Sequence, residues 1–187
     1  MNKLDYILNN SFERADIPSV AKPPKDSAEE LMEVISQYKN RKNSESKQKE
    51  LDEAPESLFQ KTLSDKGIFE DIESMKEIYK EIEPVILLYK YIYKRKRPSE
   101  YASDLGFGWS GDDDSMSTTS TPSYPSGHAA QAYYLAHKLS DKYPKHRVEL
   151  FDLAEAVATS RVDRGVHYPS DIEAGEKLAY DFYKRKG

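Results

Sequence analysis

Apolar residues recur at steps of three and four through much of this chain, and that spacing is the strongest constraint on its fold. The longest such stretch covers residues 68–97. Its helical stripe consists of Ile72, Met75, Tyr79, Ile82, Ile86, Tyr89 and Tyr93. The alternation of period two that marks a half-buried strand is nearly absent. The pattern therefore predicts an all-α protein, folded as a compact helical bundle.

Further helices are predicted on both sides of that stretch. Ser27 is a suitable N-cap for a helix over 28–38, because a serine hydroxyl accepts a hydrogen bond from a free backbone N–H. The other helical patterns cover 54–66, 127–142, 146–161 and 170–184. Pro84 lies inside the 68–97 stretch and predicts a kink or a break there, since proline removes one helical hydrogen bond.

Three segments are expected to lack regular structure. Residues 1–25 form an irregular N-terminal lead, and the charged residues 39–53 form an exposed loop or a frayed helix. Residues 99–124 are rich in Ser, Thr, Gly and Asp and form a long active-site loop, since long loops in compact domains are often functional. We expect residues 1–187 to form a single domain, because this length has room for one substantial core.

Composition excludes several classes of site and partner. The chain has no cysteine, which excludes disulfides and thiolate metal sites. Its net charge of −5 argues against a nucleic-acid partner, because such binders usually carry a basic surface. No apolar run approaches the about 20 residues of a membrane span, and no export signal is visible. We expect a soluble protein, cytoplasmic as written and periplasmic if a signal peptide has been removed.

A basic cluster closes the 68–97 stretch. Lys90 and Arg97 are seven residues apart, so two helical turns would place both on one face. Pro98 disfavours helical backbone at Arg97, so the helix is expected to end there. An ammonium and a guanidinium at one helix end can converge on a phosphate. The alternative is a solvated basic helix end that complements the macrodipole.

A second cluster, Ser126-Gly127-His128, stands at the start of the predicted helix 127–142. The first turn of a helix leaves backbone N–H groups free to bind an anion, and Gly127 allows close approach of the backbone. His128 would then lie beside the bound anion. The alternative is an ordinary helix cap with an incidental histidine.

A third cluster combines a histidine with a carboxylate. Asp171 lies four residues after His167 and can bond one imidazole nitrogen, which fixes the tautomer and leaves the other nitrogen free to attack. Arg161 adds a fixed cation, and a structural His–Asp pair is the alternative. Because side chains at helix ends can converge on one point, the three clusters together predict a single phosphate site.

These clusters resemble the signature of the PAP2 phosphatase superfamily. The family pattern is Lys, six residues, Arg-Pro; then Pro-Ser-Gly-His; then Ser-Arg, five residues, His, three residues, Asp. The chain has this pattern at 90–98, 125–128 and 160–171, with the same internal spacings. It also resembles the soluble, all-helical bacterial class A non-specific acid phosphatases, through a Pro-rich segment at 22–27 and the stretch 123–128.

The resemblance implies a role for each residue of the signature. His167 would be the nucleophile that forms a phosphohistidine, Asp171 would orient it, and His128 would be the general acid. The phosphate oxygens would be held by Lys90, Arg97, Ser126, Gly127 and Arg161. His137 and His146 lie outside the signature and are expected at the surface.

The implied activity is hydrolysis of phosphate monoesters without a metal or another cofactor. The substrate would be a small phosphorylated molecule, with nucleotides and pyrophosphate among the candidates, and phosphate or vanadate would inhibit. A homo-oligomer is compatible with the resemblance. Three alternatives stay open: a vanadate-dependent haloperoxidase, a non-catalytic phosphate- or nucleotide-binding module of the same fold, and a metal enzyme built on the acidic run 112–114.

Overall fold

The structure is a computed structural model that describes residues 17–25 and 27–186. Helices dominate these residues and no strand occurs among them, which confirms the predicted all-α fold. In chain order the helices are α1 (Ala28–Asn40), α2 (Glu45–Glu53), α3 (Pro55–Ser64), α4 (Ile72–Tyr93), α5 (Pro98–Asp104), α6 (Gly127–Lys142), α7 (Arg147–Asp163) and α8 (Pro169–Lys186). Of the predicted irregular lead, residues 17–25 contain no regular element, and residues 1–16 lie outside the described part.

The core forms around α6, which packs against α4, α7 and α8. Apolar residues are buried on every side of this helix: Ala129, Ala130, Ala132, Tyr133, Tyr134, Leu135, Ala136 and Leu139. A helix that is apolar all round belongs at the centre of a bundle. Helices α1, α2 and α3 each pack against α7, so the N-terminal helices cover one side of the bundle. Within the described part of the chain, every helix is too short or too polar to cross a bilayer.

The segment 39–53 is not the exposed loop or frayed helix that its charge predicts. It contains α2, and Gln48, Leu51 and Asp52 are buried on this helix. Ser44 caps it, with its hydroxyl accepting from the backbone N–H of Lys47 at 3.3 Å. The prediction was wrong because a few buried residues on one face can hold a helix whose other face is charged.

Helix α4 runs continuously through Pro84, so of the predicted kink or break, the break does not occur. The helix ends before Arg97, because Lys94 adopts a left-handed backbone with a φ of 49°. Arg97 therefore does not share a helical face with Lys90, contrary to the prediction. It is extended and forms the N-cap of α5. Pro98 accounts for this geometry, since it disfavours a helical Arg97 and suits the first turn of the next helix.

The segment 99–124 is more regular than predicted, because it begins with α5 and contains two short 3₁₀ turns. It is fastened to the end of α7. The Asp112 backbone N–H donates to the Arg164 carbonyl at 2.9 Å, and Arg164 Nε donates to Asp112 Oδ2 at 3.2 Å. The Trp109 ring occupies the space where a side chain at Gly165 would lie, 2.8 Å from an added Cβ. Trp109 thus packs against the segment that follows α7.

Two side chains have roles that differ from the prediction. Ser27 precedes α1 but its side chain makes no cap; the hydroxyl instead accepts from Arg95 Nη2 at 2.8 Å. His137 is buried rather than at the surface, and its ring stacks on Tyr183 with the centroids 4.6 Å apart. Both are held by partners far away in sequence, which local patterns do not reveal.

Candidate active site

A cavity of about 230 Å³ opens where the first turn of α6 meets the end of α4 and the segment after α7. Five of the eight predicted site residues line it: Lys90, Arg97, Gly127, His128 and His167. They come from four separate stretches of the chain that helix ends bring to one point. The cavity therefore joins all three sequence clusters, as predicted from their positions at helix ends.

Lys90 lies near the end of α4, and its side chain is 4% exposed. Its Nζ donates to the carbonyl oxygens of Pro122, at 2.5 Å, and Ser123, at 3.3 Å. Burial, reinforced by the charge of Arg97, lowers the pKa of Lys90 to about 7. A bound anion would raise this pKa again, because a negative ligand favours the charged form of the lysine.

Arg97 is fixed by main-chain carbonyls on two sides of its guanidinium. Its Nε donates to Thr119 and Thr121 at 2.9 and 3.0 Å, and its Nη1 donates to Val166 at 2.7 Å. The same Nη1 lies 3.5 Å from Nε2 of His167. Burial lowers the pKa of Arg97 from its usual value. The guanidinium is therefore a pre-positioned cation beside the predicted nucleophile.

His167 is paired with Asp171 at the start of α8. Its Nδ1 lies 3.1 Å from Oδ2 of the carboxylate, which also accepts from the backbone N–H of Tyr168 at 3.0 Å and from the Ser123 hydroxyl at 2.5 Å. Because this carboxylate accepts, Nδ1 carries the proton and Nε2 keeps its lone pair. Burial and the charges of Arg97 and Lys90 hold the pKa of His167 well below its usual value, so the ring is neutral.

The other oxygen of Asp171 is held by Arg95, a residue that sequence reasoning missed. Arg95 Nη1 donates to Asp171 Oδ1 at 2.6 Å, and Nη2 donates to Glu30 Oε2 at 2.7 Å. Its guanidinium lies 4.0 Å from the centre of the Tyr168 ring. Arg95 lies in the same basic run as Arg97. Its position in the sequence does not indicate that its side chain binds Asp171, whereas that of Arg97 lies beside Nε2 of His167. It makes the His167–Asp171 pair part of a larger fixed network.

His128 lies in the first turn of α6 and lines the same cavity as Arg97. Burial, followed by the charges of Lys90 and Arg97, lowers its pKa to about 4. Its Nε2 is 3.1 Å from the main-chain oxygen of Asp52, on α2. No local signal singled out Asp52, because this contact joins residues 76 positions apart.

Arg161 is a predicted phosphate ligand that is not among the side chains lining the cavity. It is fully buried, its Nη2 donates to the Thr118 hydroxyl at 3.2 Å, and its Nη1 contacts the Asp52 carboxylate directly. Burial and the charge of Arg164 lower the pKa of Arg161 to about 9. Its Nε and Nη1 make no hydrogen bond among the described residues, although Nη1 lies against the Asp52 carboxylate.

Ser126 is the second predicted ligand outside the cavity lining. It is fully buried, its hydroxyl accepts from the Ala129 backbone N–H at 3.4 Å, and its own N–H donates to the Asp171 carbonyl at 2.9 Å. The residue thus caps α6 and links it to α8. Its hydroxyl hydrogen is not used by the cap and is available to an acceptor.

Two carboxylates of the acidic run, Asp112 and Asp113, have separate partners. The Asp112 carboxylate faces Arg164 and Arg41, whereas the Asp113 carboxylate accepts from the Ser99 hydroxyl. Among the side chains that the structure describes, no three potential metal ligands form a cluster. Asp112 and Asp113 thus hold the loop in place through different contacts.

A larger cavity, of about 460 Å³, lies next to the first one. The two share Arg97 and Thr121, and the larger one is otherwise lined by Lys94, Arg95, Lys96, Glu100, Asp113, Thr119, Ser120 and Pro122. It contains neither histidine of the signature. The smaller cavity is therefore the candidate active site, because only there do the potential nucleophile, acid and cations face one volume.

A comparison with known protein families matches the part of the chain that forms this cavity. A family model described as the PAP2 superfamily matches residues 82–180, more than half of the chain and all eight predicted site residues. No curated protein matches the chain. Helices α1, α2 and α3, which carry Glu30 and Asp52, lie outside the matched residues.

Proposed function

The chain belongs to the PAP2 superfamily, and on that basis we propose that it hydrolyses phosphate monoesters through a phosphohistidine at His167. The observation that carries the proposal is the convergence of Lys90, Arg97, His128 and His167 on one cavity. Preorganised cations can stabilise the charge of a phosphoryl transition state, which is the role that a metal takes in many other phosphatases. The proposed reaction therefore requires no metal and no cofactor.

In the first step, Lys90, Arg97 and the backbone N–H of Gly127 hold the non-bridging oxygens of the phosphate. The neutral His167 attacks phosphorus through Nε2, while Asp171 retains the proton on Nδ1. The bond between phosphorus and the ester oxygen breaks as the N–P bond forms. His128 donates a proton to the departing oxygen. General acid catalysis of this kind accelerates the step by about 10²–10⁴-fold.

The second step reverses the role of His128. Now neutral, it takes a proton from a water molecule that attacks the phosphohistidine, the N–P bond breaks, and inorganic phosphate leaves. His128 must be protonated when the ester binds, although burial and the charges of Lys90 and Arg97 lower its pKa in the free protein. A phosphate dianion between these groups opposes their charge and raises the pKa of His128 again.

The size and lining of the cavity favour a small substrate. Its volume of about 230 Å³ is below the about 300–1,000 Å³ of pockets that enclose drug-sized ligands. The phosphate and part of the leaving group would fill it, with the remainder outside. A terminal phosphate on a sugar, a nucleotide or pyrophosphate fits this description. Such a substrate range also agrees with the resemblance to class A non-specific acid phosphatases.

The test replaces His167 by alanine. We expect turnover of a panel of phosphate monoesters to fall by about 10³-fold or more, and the acid-labile phosphoenzyme found in the wild-type protein after a rapid alkaline quench to be absent. His146→Ala is the matched control, since His146 lies in the turn before α7, and it should retain both turnover and adduct. Turnover in EDTA should equal that without it.

The proposal would be overturned by His167→Ala protein that keeps near wild-type turnover together with the labelled adduct. Wild-type protein that binds phosphate but hydrolyses no ester of the panel would instead support a non-catalytic phosphate-binding module.

A further inference from the structure

Asp52 is a buried carboxylate that reaches the candidate active site from outside the matched family region. It lies on α2 and is 5% exposed, whereas the family match begins at residue 82. A buried carboxylate is costly unless it is paired and hydrogen-bonded. The contacts of Asp52 therefore show which groups this carboxylate pairs with.

Two acceptors of Asp52 face one nitrogen of His128. Nε2 of His128 lies 3.1 Å from the main-chain oxygen of Asp52 and 3.3 Å from its carboxylate Oδ1. Both oxygens can only accept from this ring, so Nε2 must carry a hydrogen. In a neutral ring the lone pair then belongs to Nδ1, and Nδ1 becomes the nitrogen that can exchange a proton with a substrate.

The same carboxylate also binds a predicted phosphate ligand. Asp52 Oδ1 contacts Nη1 of Arg161 and accepts from the Thr118 hydroxyl at 3.3 Å, and Oδ2 lies 3.7 Å from Nη1 of Arg164. These partners keep the carboxylate in one position. Asp52 therefore ties the ring of His128 to Arg161, which the sequence pattern places in the phosphate site.

The arrangement is the counterpart of the pair at His167. There, the carboxylate of Asp171 binds Nδ1 and leaves Nε2 free; here, Asp52 binds Nε2 and leaves Nδ1 free. Each histidine thus has one nitrogen fixed by an acidic residue and the other available for chemistry. A carboxylate behind an imidazole both fixes its orientation and stabilises the imidazolium.

We propose that Asp52 is a positioning residue for the general acid: it holds the Nε2–H of His128, makes Nδ1 the proton-transferring atom, and stabilises the imidazolium. This inference rests on the proposed function. In the first step Nδ1 gives its proton to the departing ester oxygen, and in the second it takes one from the attacking water. The Nε2 hydrogen remains with Asp52 throughout.

Burial and several neighbouring cations disfavour the protonated form of His128. The titratable or charged groups that face it from neighbouring elements are Asp52, Glu56, Glu83, Lys90, Arg97, Arg161, Arg164 and His167. Burial, Lys90, Arg97 and Arg164 all lower the pKa of His128. A direct negative partner opposes this effect, so its removal makes the acid form scarcer at any given pH.

The test uses Asp52→Asn with a series of leaving groups. 2,4-Dinitrophenolate departs without a proton, so kcat/KM for its phosphate ester, which reports only the first step, should change by less than about threefold. Alkyl phosphates need the general acid in that step and should lose on the order of 10²-fold in kcat/KM. The alkaline limb of kcat/KM against pH, where the acid is deprotonated, should move to lower pH for the alkyl esters. A merely structural role would reduce all esters by one factor.

Asp112→Asn is the matched control, because Asp112 also pairs with Arg164 but makes no contact with His128. We expect it to change all esters by one modest factor and to leave the pH profile in place. Asp52→Glu keeps the negative charge near Arg161 and should recover part of the alkyl phosphate rate. If Asp52→Asn fails to fold, Asp52→Glu takes its place in the comparison of alkyl and dinitrophenyl esters.

Nitrogen NMR of the histidine side chains gives a readout that needs no turnover. In the wild-type protein His128 should show the Nε2–H tautomer, and its pKa should fall in Asp52→Asn. An Nδ1–H tautomer, or an equal loss across the ester series, would overturn the role of Asp52. Absence of wild-type turnover would count against the proposed function itself, so the two failures are distinguishable.

Discussion

Lys90 shows how the environment of a single residue sets the chemistry of this site. Its ammonium is held by two main-chain carbonyls inside the protein, next to the fixed guanidinium of Arg97. Burial alone would favour the neutral amine, and Arg97 adds to that effect. A bound anion reverses it, so the affinity for a tetrahedral anion should depend on whether Lys90 is charged.

We therefore predict that inhibition by sulfate weakens as the pH rises through about 7, the pKa of Lys90 in the free protein. Protonated Lys90 binds the anion, so binding is full below that pKa and is lost above it. The inhibition constant should rise on the order of tenfold between pH 7 and about pH 8.5. Sulfate is the right probe because it does not titrate in this range.

Lys90→Gln supplies the control for this pH effect. The variant should bind sulfate more weakly at low pH and show no step near neutrality. In the free protein the pKa values of His128 and His167 lie below this range. Any change that sulfate causes in their titration occurs in both proteins, so the difference between wild type and Lys90→Gln isolates the effect of Lys90. An unchanged step in Lys90→Gln would show that another group titrates.

At the scale of elements, the position of the α6 N-terminus depends on close packing against α8. Gly175 on α8 faces it, and a Cβ there would lie 2.7 Å from the Ser126 carbonyl oxygen and 3.0 Å from Ala129 Cβ. The hydrogen bond from the Ser126 backbone N–H to the Asp171 carbonyl joins the same two helices. The anion-binding turn of α6 and the His167–Asp171 pair are therefore held together by this contact.

Gly175→Ala should force these helices apart. We expect a loss of about 1–3 kcal/mol in the free energy of unfolding, typical of overpacking, together with a fall in kcat/KM as His128 moves relative to His167. Urea unfolding and steady-state kinetics measure the two effects. Gly108→Ala is the control, because no neighbouring atom of the described residues lies within 4 Å of its added Cβ, and it should match the wild type.

The predicted helices agree with the observed ones where a local pattern is strong, as in α6, whose bounds of 127–142 are those predicted. The prediction failed for α2, whose charged sequence conceals a short buried face. It also failed at the end of α4, where a left-handed Lys94 separates Lys90 from Arg97. The first error concerns a helix that buried contacts hold in place despite its charged sequence. The second concerns the backbone next to Pro98, which separates Lys90 from Arg97.

At the scale of the whole molecule, the helices outside the matched family region are part of the core and of the site. Six of their apolar side chains are at most 6% exposed: Leu31, Val34, Leu51, Leu58, Phe59 and Leu63. Each buried side chain of this size contributes about 1.5–3 kcal/mol. Their sum is comparable with the about 5–15 kcal/mol by which a whole domain is stable.

A chain that begins at residue 65 should therefore fail to fold on its own. We expect it to show no cooperative thermal transition and no turnover, because it loses Asp52 and Glu30 as well as these apolar contacts. Circular dichroism and the ester assay check this. A cooperative transition with wild-type turnover would mean that the N-terminal helices are accessory.

Local sequence was sufficient for most of the helices, because a helix is built from hydrogen bonds between near neighbours. The fixed spacings of the signature also pointed to five residues that the structure places around one cavity. The roles of the eight predicted site residues stay a prediction. Tertiary structure alone decided how those residues are supported. Asp52 reaches His128, and Arg95 reaches Asp171, each across 76 positions of sequence. Such contacts depend on which helix faces pack together. The physical reason is that the cost of buried charge is met by partners in space, whatever their distance along the chain.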